Sequence, residues 1–447
     1  MNTARTTARS RAPRILYLAF FFPPSRSSGV YRARATAGHL ASAGWDVSLY
    51  TAPRRFFTEY IGSVDESLEQ GVDPRITVRR PNMGYFRWER DVRAYGRFRA
   101  NLPILANAGY NWTQRRFFPE HYASWIPRVV ARALREHAHK RFDLILATGN
   151  PFASFAAAHW ISKLTGVPYA LDYRDSWTFN QFTEEHKYPE GHPAWAWERR
   201  VLAKSSLTAF VNEGLRGWHA ERYPESAAQM TVVPNGWEPE ILGRAAYGGP
   251  ATGRPLRFGY IGTITEAMPL DVLFDGWRLA RGHAELADAT FDLYGHLGFF
   301  KQSADSLSDK IPLNEDLGVT YRGPVAKTEV GAAYRNLDAL VFCVPGARYV
   351  TSGKIFEYMA TGKPIVSAHA PDIAAVDVLT GHPLWFGTDR LDAQSVANAM
   401  VAAGKTARDL SEPDFDAALT HAERYTRDNT LGPFEQQLRA IAGRRGR

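Results

Sequence analysis

The chain reads as two doubly wound α/β domains in series, and three observations carry that reading. Short apolar runs recur, most of them ending in Gly, Pro or Asn and followed by a helical pattern, the rhythm of a parallel sheet with crossover helices. The rhythm stops at a Gly-, Ala- and Pro-rich stretch over 241–254 and then restarts. At 447 residues, 45% hydrophobic and 22% charged, the chain has the length for two or three domains and enough apolar content for their cores.

The first domain opens with Arg14 to Phe22, a continuous apolar run stopped by Pro23-Pro24, which suits a central parallel strand. A loop with Gly29 leads into a helix holding Arg32 and Arg34, and Asp46 to Tyr50 is the next strand. This βαβ opening lacks the GxGxxG fingerprint of dinucleotide oxidoreductases. From 54 to 141 the rhythm is interrupted. Seven arginines fall between Arg79 and Arg99 against Glu89 and Asp91 only, interleaved with Tyr85, Phe86, Trp88, Tyr95 and Phe98. Arg87, Trp88, Arg90, Arg93 and Arg97 are the candidate contacts there for a phosphate-bearing acceptor or a membrane surface. A solvated insertion is the plain alternative, and no nucleic-acid module accompanies the patch.

The α/β pattern resumes with strand Phe142 to Ala147, a helix around Phe155 to Leu164, and strand Tyr169 to Asp172, which runs out into Tyr173-Arg174-Asp175-Ser176-Trp177. Polar groups at the C-terminal ends of strands are where open α/β sheets bind ligands. Strands at Leu207 to Asn212 and Thr231 to Val233 follow, then Pro234-Asn235-Gly236-Trp237. His159, on an alanine-rich helix, reads as structural, and Trp195 and Trp197 as core or as stacking faces.

The second domain begins with strand Leu256 to Thr265, then a helix around Pro269 to Ala280 and the strand Thr290 to Tyr294. Val319 to Pro324, a helix near Glu329 to Arg335 and the strand Ala339 to Val344 follow. The one cysteine, Cys343, sits in that last apolar run and reads as a small buried hydrophobe. A single cysteine excludes a disulfide framework and a cysteine-based zinc site. No run of 18 apolar residues occurs. The tail from Ser395 is helical in pattern, and Pro433 is predicted to break it.

Between the last strand and that tail lies the stretch Thr351 to His369, around which the chain is organised. Ser352 can cap a short helix that Thr361-Gly362 ends. On it Lys354 and Glu357 are three residues apart and share a face. The helix offers an anion backbone N–H groups near Ser352-Gly353 and a lysine, and one turn on, a carboxylate that can accept from two neighbouring hydroxyls. A phosphate clamp beside a sugar clamp fits a nucleotide-sugar. The plain alternative is an i, i+3 surface ion pair.

Five pieces in order, FFPPSRSSGVYRARATAGHLASAGWDVSLYT, ATGNPFASFAAAHWISKLTGVPYALDYRDSW, VVPNGW, FGYIGT and SGKIFEYMATGKPIVS, resemble the retaining glycosyltransferases of the GT-B fold, family 4, in its bacterial polysaccharide-type branch. The resemblance implies two Rossmann-like domains facing across a cleft. It implies an NDP-sugar donor, a glycan or lipid-linked acceptor, retention of configuration and no divalent metal. Glu357 would hold the ribose; Lys354 and the N–H groups near Ser352-Gly353 would neutralise the diphosphate. Asp175 or Arg174 would lie beside the sugar ring. Gly29 would let the first loop close over the donor, and Asn235 and Gly236 would wall the hinge side. Members carry an arginine after the glycine of the second opening strand and a lysine soon after; here Gly262 is followed by Thr263 and Glu266-Ala267-Met268. Tyr349 stands in place of an earlier glutamate, so the diphosphate falls to Lys354, Arg348 or an arginine of the first domain. Asp414-Phe415-Asp416 imitates a metal motif but reads as a helix end.

The expected layout is a disordered tail over 1–13, an acceptor-binding domain over 14–240 and a linker over 241–254. A donor-binding domain over 255–424 and a C-terminal helix over 425–447, packed back on the first domain, complete it. The expected place of action is the cytoplasm, with the inner face of the membrane as the alternative site within it. Competing readings are a small-molecule glycosyltransferase and a non-catalytic GT-B protein binding an anionic partner.

Overall fold

The computed structural model describes residues 11–27, 29–298, 307–313, 316–326, 329–344, 346 and 348–444, so the tail read over 1–13 lies mostly outside the described residues. The chain divides into two compact units, one of 1–211, 215–233 and 431–447, the other of 212–214 and 234–430. Residues 241–254 fall inside the second unit, where Ala251 joins the core.

The first unit is built on strands β1 (Arg14–Leu18), β2 (Asp46–Tyr50), β3 (Thr77–Arg79), β4 (Leu144–Gly149) and β5 (Tyr169–Tyr173). A small antiparallel hairpin, β6 (Phe179–Asn180) with β7 (Glu185–His186), precedes β8 (Leu207–Phe210) and β9 (Met230–Val232). The sheet runs β3-β2-β1-β4-β5-β8-β9 with every pair parallel. All five residues of β1 are buried, as a strand covered on both faces requires. Its register sets Ile15 beside Val47 and Leu144, and these residues form the centre of one core layer.

Leu431, Phe434, Leu438 and Ala442 of the final helix, Arg427–Gly443, belong to that same core. Pro433 does not break this helix, contrary to its sequence reading. A proline inside a helix costs about 3 kcal/mol. Burying Leu431, Phe434 and Leu438, each worth about 1.5–3 kcal/mol, outweighs that cost.

The second unit carries β10 (Arg257–Ile261), β11 (Thr290–Tyr294), β12 (Val319–Gly323), β13 (Ala339–Cys343), β14 (Ile365–Ala368) and β15 (Trp385–Gly387), in the order β12-β11-β10-β13-β14-β15 and all parallel. Phe258, Trp277, Phe291 and Met400 form the core on one side of the sheet; Leu340, Ile355, Phe356 and Met359 form it on the other. In each unit the first strand sits mid-sheet and the chain order reverses beside it, at β1/β4 and at β10/β13. Those switch points are where doubly wound sheets take ligands, outside the strand C-termini.

Candidate functional site

The helix predicted after Ser352 is present as Gly353–Met359, capped by the Ser352 hydroxyl, which accepts from the Lys354 N–H at 3.4 Å. Ile355, Phe356, Tyr358 and Met359 are buried, which leaves Lys354 and Glu357 on the half-buried side. Tyr358 pins the helix to the end of β10, since its hydroxyl accepts from the Ile261 N–H at 3.0 Å. The helix therefore lies at the β10/β13 switch point.

Lys354 lies across Gly262, the residue after β10. A Cβ on Gly262 would stand 1.7 Å from Lys354 Cε and 2.1 Å from Nζ, so only glycine gives the lysine this course. Lys354 Nζ is 5.5 Å from the Tyr260 ring centre, within cation–π range. The Tyr260 hydroxyl donates to the Thr263 carbonyl at 2.9 Å, fixing the loop that follows. Glu357 is oriented from the far side by the Tyr334 hydroxyl, which donates to Oε2 at 2.9 Å. Burial first, and the Glu357 charge next, hold that phenol protonated well above its ordinary range. Ser352, Gly353, Lys354, Glu357, Gly262 and Thr263 are thus carried by two adjoining segments at one switch point. Asn212 steers the approach to Ser352, donating to the Tyr349 carbonyl at 3.0 Å and to Thr351 Oγ1 at 3.3 Å.

Asn235 and Gly236 are engaged with another segment of the same unit. A Cβ on Gly236 would meet the Tyr425 carbonyl at 2.5 Å, and Trp237 exchanges backbone bonds with Tyr425 and Arg427. Arg427 Nη1 reaches Asn235 Oδ1 at 3.5 Å. These residues hold the 422–427 segment in place.

At the switch point of the first unit, Arg174 takes the corresponding position over a glycine. A Cβ on Gly29 would stand 1.7 Å from Arg174 Nη1. The guanidinium donates to the carbonyls of Gly149 at 3.0 Å and Asn150 at 2.7 Å. Below it, Arg32 and Asp172 form a buried pair, Nη2 to Oδ1 at 2.7 Å, with Arg32 also donating to the Val233 carbonyl at 3.0 Å. Asp175 is half-buried and accepts from Gln181 Nε2 at 2.9 Å.

Two supports here were not legible as motifs. Glu198, wholly buried, accepts from Tyr223 at 2.8 Å and from Thr178, with His219 Nε2 at 3.4 Å. Burial pushes its carboxyl up, but the bond and charge of His219, with the two hydroxyls, outweigh that and hold it below the ordinary value. Ser176 bridges His219 to the Arg174-Asp175 turn through Oγ at 3.3 Å. Glu120 caps the helix Ala153–Thr165 that follows β4, accepting the N–H groups of Phe152 at 2.8 Å and Ala153 at 2.6 Å. Burial pushes this carboxyl up to about 7.

In the basic insertion the structure separates the predicted contacts. Arg87, Trp88 and Arg90 line a cavity of about 1000 Å³ together with Arg55, Arg99 and Tyr122. Arg93 pairs with Asp91 at 3.0 Å, and Arg97 opens the short helix Arg97–Asn101. Trp195 and Trp197 are fixed by their indole N–H groups, Trp195 to the Pro189 carbonyl at 3.1 Å and Trp197 to that of Phe117 at 2.6 Å. His159 is buried, and burial lowers its pKa. The Cys343 thiol is pushed by burial up to about 12, so it stays protonated. Asp414 stands in the first turn of a helix capped by Ser411.

Residues 29–236 match the glycosyl transferase 4-like domain and residues 255–404 match glycosyl transferases group 1. No curated protein sequence is similar enough to count as a match. Among solved structures the chain is similar to a glycosyltransferase from Rickettsia africae, at 12% identity and TM-score 0.65 over 96% of this chain and 99% of the other. It is similar to sucrose-phosphate synthase from Thermosynechococcus elongatus, at 13% and 0.63 over 96% and 99%. It is also similar to Anabaena HepE in complex with UDP and glucose, at 15% and 0.61 over 96% and 100%.

Proposed function

Because this chain belongs to the family 4-type GT-B glycosyltransferases, we propose that it moves a sugar from a nucleotide-diphosphate donor to a hydroxyl of a glycan or lipid-linked acceptor. Transfer proceeds with retention and without a divalent metal, at the inner face of a membrane. One observation carries the donor assignment: Lys354 is laid across Gly262 at the β10/β13 switch point, with Glu357 one turn further along the same helix. The HepE complex with UDP and glucose, on the same fold, supports a nucleotide-sugar as the ligand class.

In this reading Glu357, oriented by Tyr334, accepts from the ribose hydroxyls. Negative charge grows on the diphosphate as the glycosidic bond breaks, and Lys354 meets it with a charge already in place. A donor preorganised toward developing charge is worth about 3 kcal/mol, or roughly a hundredfold in rate. With Thr263 in the usual position of an arginine, Lys354 carries more of that load. Asp175, held by Gln181, orients the acceptor hydroxyl or stabilises the electron-poor sugar carbon, and Arg174 fixes the turn that presents it.

The test is a thermal-shift panel of UDP, GDP, TDP and ADP, with and without Mg²⁺. Binding to the folded form raises the melting point by mass action. One nucleotide should stabilise the chain, and the shift should survive removal of Mg²⁺. A panel in which no nucleotide shifts the melting point contradicts the proposal.

A further inference from the structure

We propose that the helix Pro103–Arg116, with the short helix Arg97–Asn101 before it, is a docking face for a bilayer bearing anionic lipid headgroups. The inference rests on the membrane reading above for its purpose and on the following geometry for its content.

The Pro103–Arg116 helix is fastened to the first unit by one side only. Ala106 is its single buried residue. Tyr110 stacks on Phe86, centroids 4.6 Å apart, and its hydroxyl bonds His121 Nδ1 at 3.0 Å. Just past the helix end, the Phe117 carbonyl accepts from Trp197. The opposite side carries Ile104, Leu105, Ala108 and Trp112, whose spacing places them within one stripe of a helix. Ile104 is 82% exposed, and Leu105 and Trp112 are each 58% exposed. Of thirteen exposed large apolar side chains among the described residues, seven fall within 92–117, so the exposure is concentrated and not scattered.

Charge identifies what covers this face. Residues 92–117 contain five arginines and no acidic residue. Arg93 is taken by Asp91, and Arg99 by the Phe86 carbonyl and the Tyr95 ring. Arg97 stands before the apolar stripe and Arg115 and Arg116 at its end. Apolar side chains between basic ends, with a tryptophan near one of them, match the interface of a bilayer whose headgroups are negative. A phosphate backbone would meet the arginines and leave Ile104 and Leu105 in water. A second copy of the same face would set arginines against arginines.

The experiment is cosedimentation of the full chain with vesicles of phosphatidylcholine alone or mixed with phosphatidylglycerol. The chain should sediment with the mixed vesicles, much less with phosphatidylcholine alone, and be released by salt. Ile104→Asp with Trp112→Asp should weaken binding at least about tenfold. Arg115→Glu with Arg116→Glu should weaken it by roughly fivefold per arginine and flatten the salt dependence. Should the aspartate pair fail to fold, Ile104→Ser with Leu105→Ser serves, folding in every case being checked by the nucleotide-induced melting shift. The inference is overturned if the full chain stays in the supernatant with mixed vesicles, or if the folded variants sediment as the parent does. It is equally overturned if the face instead mediates a lipid-free dimer that the same substitutions abolish. A chain that binds nucleotide but ignores vesicles removes this inference and leaves glycosyl transfer standing; one that binds vesicles and no nucleotide does the reverse.

Discussion

The two switch points are built on one plan and finished differently. In each, a cationic side chain crosses a glycine of the segment that leaves the first strand: Arg174 over Gly29, which opens the helix Gly29–Ser42, and Lys354 over Gly262, the residue after β10. In each, a helix follows the fourth strand. In the first unit the guanidinium is bonded to the carbonyls of Gly149 and Asn150, and the helix start is capped by a carboxylate, Glu120. In the second unit the cap is a serine hydroxyl, the cation is a lysine over a tyrosine ring, and a glutamate follows one turn later. A helix start whose first N–H groups already bond a protein carboxyl has no need of an outside anion. One capped by a neutral hydroxyl beside a lysine is suited to receive one. The difference teaches that Arg174 and Glu120 serve the shape of the first unit's turn and helix start, whereas the second unit's helix start has the make-up that the donor role proposed for Lys354 and Glu357 requires.

The most damaging way to probe that contrast is Asp172→Ala, which removes the carboxylate that faces the buried charge of Arg32 in the core of the first unit. Removing one partner of a buried pair costs about 3–5 kcal/mol. The melting point should drop sharply by calorimetry, whether or not nucleotide is present. Next is Lys354→Met, whose length and bulk are close to those of lysine. Turnover should fall about 10²- to 10³-fold with little change in the melting point of the free protein. Gly262→Ala should move turnover the same way, less far, because the lysine is flexible enough to shift from the new methyl.

Asp175→Ala is the sharper test of the first unit. It should leave the nucleotide-induced melting shift intact while turnover is lost, separating chemistry from donor binding. The smallest effect concerns Glu120. Its folded pKa of about 7 lies above the ordinary 4.5, so the protonated form is favoured in the native state. The associated stability is fully present below about pH 4.5 and is lost as pH rises to about 7. Glu120→Gln should flatten the decline in melting temperature across that window; an unchanged slope would count against this assignment.

Much of this was legible in the sequence. Apolar runs ended by Gly, Pro and Asn marked the central strands, and the spacing of Ser352, Lys354 and Glu357 marked the helix and the face they share. Gly262 was legible as a position, but its reason was not. That glycine makes way for a lysine distant in the chain, and only the fold brings them together. Tyr334 and Tyr358 were missed for the same cause, since a tyrosine that orients a carboxylate looks in sequence like one that fills a core. Glu120 gave no signal because the N–H groups it caps lie far along the chain. Pro433 misled because a local rule was outweighed by burial against a distant sheet.

The central claim is that nucleotide is held by the second unit's switch point and not the first's. Calorimetric titration of the stabilising nucleotide into Lys354→Met and Arg174→Met, side by side, tests it most directly. Affinity should weaken by about tenfold or more in Lys354→Met, the cost of losing a charge-assisted contact, and stay within about twofold of the parent in Arg174→Met. Weakening confined to Arg174→Met, with Lys354→Met binding as the parent does, would contradict it.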